Sequence, residues 1–112
     1  MTIQGIKKDL AKKAAKAMVP RLREEFVSKG GQLEDFDEEL AISKLCAFFE
    51  SQPPVFWDQI AISENASLDE IAQDIADSLE EAIYLEKMSA RDIIDMLMEE
   101  EGISRRLKSV KQ

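Results

Sequence analysis

Apolar positions recur at three- and four-residue steps along almost the whole chain, a period that predicts helices and no sheet. Ile3, Ile6, Leu10, Ala14 and Ala17 share one face of a first helix, and Lys8, Lys12 and Lys16 fall on its other side. Pro20 has no backbone N–H to donate and pushes Val19 away from helical angles, so a kink or fresh start is expected there. A short second helix over residues 20–29 would then present Leu22, Phe26 and Val27 until Gly30-Gly31 closes it with a left-handed cap.

Asp35-Phe36-Asp37-Glu38 places an acid three residues before a Glu, the pattern of a helix start. In the run that follows, Leu40, Ala41, Ile42, Leu45, Cys46, Phe48 and Phe49 cover most of the circumference, which predicts a central, widely buried helix over residues 36–50. Pro53-Pro54 ends it. Residues 54–62, with Val55, Phe56 and Trp57, read either as a helical turn begun at Pro54 or as an extended segment, and a lone strand without a partner favours the turn.

Ser67-x-x-Glu70 opens the clearest amphipathic helix: Leu68, Ile71, Ala72, Ile75, Ala76, Leu79 and Ile83 form its stripe, and Asp74, Asp77, Glu80 and Glu81 lie opposite. Ser89-x-x-Asp92 begins another, with Ile93, Ile94, Leu97 and Met98 expected inward and Gly102 as its stop. Ile103, Leu107 and Val110 belong to a basic tail over residues 103–112, read either as a frayed helical turn or as disordered chain. The architecture expected is all-α: a compact single-domain bundle of five or six short helices spanning residues 1–102, its first helix basic and amphipathic.

Length agrees with that picture, since 112 residues suffice to bury about two-thirds of the unfolded surface around one core. Charge adds what periodicity cannot. Residues 1–29 hold eight basic and three acidic side chains (+5), residues 30–101 three basic and twenty acidic (−17), and residues 102–112 four basic (+4), which sum to the net −8 of the chain. Such segregation produces local fields that act on partners. With no histidine and one cysteine, Cys46, the chain lacks the groups for His-dependent triads, Cys/His zinc sites and Glu-x-x-His di-iron pairs. Cys46 among Leu45, Phe48 and Phe49 reads as an inert core thiol, and Asn65-Ala66-Ser67 as a glycosylation match without a secretory leader.

Neither cofactor nor metal is expected, and three functional readings remain. The first is a non-enzymatic protein–protein interaction module, an adaptor, assembly factor or regulator of the cytoplasm. It would dock a helical face on another protein with a basic surface, with a homodimer also open. The second is an acidic inhibitor that imitates nucleic acid and fills a basic groove. The third is a magnesium-dependent all-α hydrolase built on Asp74-x-x-Asp77-x-x-Glu80 and Glu81, which conflicts with their outward phase. Candidate partner-binding residues are Asp74, Asp77, Glu80 and Glu81; Lys8, Lys12 and Lys16; and Phe56 with Trp57. Direct nucleic-acid binding is disfavoured because no aromatic precedes Phe26, and membrane binding because alanines stand where insertion needs large apolar groups.

Overall fold

The structure is a computed structural model describing residues 3–58 and 67–110. Six α-helices follow in order: α1 (Ile3–Ser28), α2 (Glu38–Glu50), α3 (Pro54–Asp58), α4 (Leu68–Ala82), α5 (Ala90–Met98) and α6 (Gly102–Val110). Short 3-10 turns at Leu33–Asp35 and Leu85–Lys87 link them, and no strand occurs among the described residues. The fold is all-α. No helix among the described residues is long and apolar enough to cross a membrane.

The central element is α1, not α2. It runs through Pro20 as one helix, so of the kink or fresh start expected at that position the fresh start does not occur. Pro20 is exposed, where the carbonyl left without its helical donor can turn to water. Meanwhile Ala11, Ala15, Met18, Leu22 and Phe26, all buried, continue one stripe across it. Interrupting the helix would pull Leu22 and Phe26 out of that stripe; burying a large side chain contributes about 1.5–3 kcal/mol, enough together to outweigh one lost hydrogen bond. Helices α2 and α4 pack along α1, which also touches α3, α5 and both 3-10 turns. Alanines at 11, 14 and 15 are fully buried, and their small size lets neighbouring helices come close.

The end of α1 is a Schellman motif: Gly31 N–H donates to Phe26 C=O at 2.9 Å and Gly30 N–H to Val27 C=O at 3.0 Å, with Gly30 at φ +95°. Val27 stays exposed. The chain turns back over Phe26, whose ring meets Phe36 at 5.7 Å between centroids. Asp37, not Asp35, caps α2 by accepting from Leu40 N–H at 3.0 Å. Ala41, Leu45, Phe48 and Phe49 face the core while Ile42 and Cys46 are half-buried, so α2 buries one face and not most of its circumference.

The stripe of α4 is buried as its spacing requires, from Ile71 to Ile83. Ser89 and Asp92 form a reciprocal capping box on α5, each side chain holding the other's backbone N–H at 3.1 Å. Met96, not Met98, points inward. The C-terminal segment also departs from expectation. Gly102 begins α6 instead of ending α5, and a Cβ there would lie 2.0 Å from Met96 O, so glycine is present for close backbone approach. Ile103 is buried and Leu107 packs against the core, which makes helix, not fray, of the chain to Val110. Gln59–Ala66, with the 59–62 part of the ambiguous segment and the Asn65 motif, lie outside the described residues, as do residues 111–112 and the side chains of Ile3 and Val110.

Candidate functional site

Ser67 sets α4 in place: its Oγ accepts from Glu70 N–H at 3.1 Å, and Asp69 and Glu70 sit in the first turn, where the helix end favours anions. With Ile71, Ile75 and Leu79 turned inward, Glu70, Asp74, Asp77 and Glu81 stand in one line on the opposite, exposed side. Glu80 does not share that face. It is half-buried on the flank toward α1, where Arg21 donates to its Oε2 at 2.9 Å and to Gln73 Oε1 at 2.8 Å and also pairs with Asp77. Lys13 adds a 2.9 Å pair to Asp69. Of the four acids proposed from sequence, two therefore share the chain's own Arg21, which leaves one negative charge between them, and Asp74 and Glu81 make no ion pair with a described residue. Among the described residues no three acidic or thiol groups come together to hold a metal ion.

The line of carboxylates ends at a turn that sequence reasoning missed. Tyr84 adopts the left-handed conformation at φ 53°, ψ 54°, and the residue is 50% exposed, between the fully buried Ile83 and Leu85. An L-residue there costs about 1–2 kcal/mol and persists only where surrounding contacts dictate it. Tyr84 is the residue after the C-cap of α4, the position at which helices commonly turn left-handed, and Lys29 braces the segment that follows. Reaching from the end of α1, its Nζ donates to Leu85 C=O at 2.9 Å, to Glu86 C=O at 2.8 Å and to Met88 C=O, and lies 3.1 Å from Glu25 Oε2. Lys87 N–H to Tyr84 C=O at 2.9 Å completes the turn. Asp77, Glu80, Glu81, Tyr84, Glu86 and Lys87 line an open depression of about 920 Å³, with Lys87 Nζ 5.6 Å from the Tyr84 ring centre.

The other candidates separate cleanly. Lys8, Lys12 and Lys16 are exposed and make no ion pair with any described residue. Lys12 and Lys8 act on Cys46 of α2, where their charge favours the thiolate. Burial and the nearby Glu50 carboxylate outweigh them and push the Cys46 thiol above its ordinary value. Trp57 is a core residue, 1% exposed, and so is no exposed partner anchor; Lys7 Nζ lies 5.8 Å over its ring and Phe56 packs edge-on at 5.2 Å. Its indole N–H has no hydrogen-bond partner among the described residues. Phe56 is half-buried against the core. Comparison with models of protein families, with curated proteins and with solved structures finds no match to this chain.

Proposed function

We propose that the protein is a non-catalytic docking module, an adaptor or regulator of the cytoplasm, that binds another protein with a basic surface through the outward face of α4 and the turn after it. One observation carries the reading: an outward line of carboxylates leads to an aromatic side chain held in solvent by a strained backbone. Glu70, Asp74 and Glu81 would pair with a partner's Lys and Arg, and a guanidinium would stack on Tyr84. Charge of this kind steers encounter and orients the partner, while a rigid aromatic supplies an anchor with little entropy to lose.

An acidic mimic of nucleic acid would draw on the same surface, but Arg21 already pairs with two of the carboxylates that such a phosphate array would need. A magnesium hydrolase would need ligands that converge, and these diverge between solvent and Arg21. The test is affinity capture with the full chain from its native host, run beside Asp74→Lys/Glu81→Lys and beside Tyr84→Ala. A basic protein held by the wild type, released by salt and lost from both variants is the expected result. Equal capture by the charge variant, or no salt-sensitive partner, overturns the reading.

A further inference from the structure

Of the basic side chains that α1 and its end contribute, most already have partners. Lys13 pairs with Asp69, Arg21 with Asp77 and Glu80, Arg23 with Glu38 and Lys29 with Glu25, while Lys7 lies over Trp57. Lys8, Lys12 and Lys16 are the exception. In a chain with twenty-three carboxylates and a net charge of −8, three aligned lysines without an ion pair to any described residue form the one basic face that the fold leaves open on this helix.

Their spacing is one per turn, about 6 Å apart and about 12 Å from first to last. The outward carboxylates of α4 repeat at nearly the same interval, Glu70, Asp74, Asp77 and Glu81 covering about 16 Å. The two faces cannot meet within one copy, because α4 packs on α1 with its Ile71, Ile75 and Leu79 side buried and its flank held by Lys13 and Arg21, so its outward carboxylates face away from α1. We infer that they meet between copies: the Lys8/Lys12/Lys16 stripe of one chain docks on the outward α4 face of a second. The inference rests on the reading of α4 as a docking face, and it adds a regulation, since self-association covers the surface that a basic partner would use. A contact between two different patches is head-to-tail, so assembly extends from copy to copy unless the rotation closes a ring.

Charge complementation tests this with exposed side chains alone. At about 0.1 M salt the Debye length is about 10 Å, which screens the net charges of two copies but not pairs in contact. Sedimentation should then show the wild-type mass rising with concentration and falling to the monomer near 1 M salt. Lys8→Glu/Lys12→Glu/Lys16→Glu and Glu70→Lys/Asp74→Lys/Glu81→Lys should each weaken self-association by about tenfold or more, and an equal mixture of the two should restore it. Lys8→Gln/Lys12→Gln/Lys16→Gln, a milder change, should weaken it several-fold with an unchanged helical spectrum. A wild type monomeric throughout, association indifferent to the variants, or a mixture no larger than its components overturns the inference. The lysine variants keep α4 intact and should still capture a basic partner, so a silent mixture beside retained capture refutes self-docking and leaves the first reading standing.

Discussion

Lys29→Met should unfasten the turn that presents Tyr84. The substitution keeps an unbranched stem of similar bulk and removes the ammonium that serves three backbone carbonyls and the Glu25 carboxylate. Two of those carbonyl bonds, to Leu85 and Met88, are part-buried, and a hydrogen bond to a charged group contributes about 1.5–3 kcal/mol. Glu86 C=O is exposed and rehydrates, and the pair with Glu25, itself part-exposed, contributes only about 0–1 kcal/mol. Because the carbonyls can recover some hydration as the turn loosens, the expected loss is about 2–4 kcal/mol, large for a domain of ordinary stability. Lys29→Arg should not rescue it, since a planar fork cannot aim at three carbonyls that converge on one point. Chemical denaturation measures the loss, and hydrogen exchange should locate it as faster exchange at the Lys87 and Met88 amides. A change below about 0.5 kcal/mol, or full rescue by arginine, would refute the assignment of the clasp.

Three other outcomes follow from the packing and the caps. Phe49→Ala should destabilise by about 3–5 kcal/mol in thermal unfolding, because Phe49 is 1% exposed and packs edge-on against Phe48, and an effect within error would place α2 outside the core. Gly102→Ala should separate α5 from α6, read as faster exchange over residues 102–107 and a lower melting temperature, since its Cβ would meet the backbone of Met96; a neutral result contradicts the close approach. The Ser89 backbone N–H and hydroxyl hold the Asp92 carboxyl below its ordinary value, so this cap contributes stability above about pH 4 that is lost as pH falls through the depressed folded value. Ser89→Ala should therefore cost about 0.5–2 kcal/mol at neutral pH and flatten that acid-side decline; an unchanged slope would count against the box.

How far the sequence could be read depended on whether one segment held the whole signal. In α4 and α5 the cap and the stripe are local and agree, so the helix starts at Ser67 and Ser89 were legible to the residue. Pro20 misled because its local preference opposed a stripe running from Ala11 to Phe26, and long-range burial won. The residues that continue that stripe were visible in the sequence on both sides of the proline. Gly102 carried two meanings, a stop and a close approach, which only the position of Met96 distinguishes. Trp57 after Pro53-Pro54 could serve as a partner anchor or close the end of the core, and the structure buries it against α1. The outward phase of Asp74 and Glu81 followed from period alone, whereas the capture of Asp77 and Glu80 by Arg21 depends on how α1 and α4 are aligned, which no local pattern encodes. No glycine or asparagine after α4 marks the left-handed turn at Tyr84, and the brace on the segment beyond it comes from Lys29, 55 residues earlier.

Carboxylates cover much of this surface, so the central claim is that one acidic face is selective. Titrating the labelled protein with a short Lys/Arg-rich peptide at low salt, and following backbone amide shifts, tests it directly. The account predicts the largest changes at Glu70, Asp74, Glu81 and Tyr84, with Glu34, Glu39 and Glu100, which are also acidic and exposed, nearly still. Shifts spread over all of these in proportion to exposure, with Tyr84 unmoved, would contradict it.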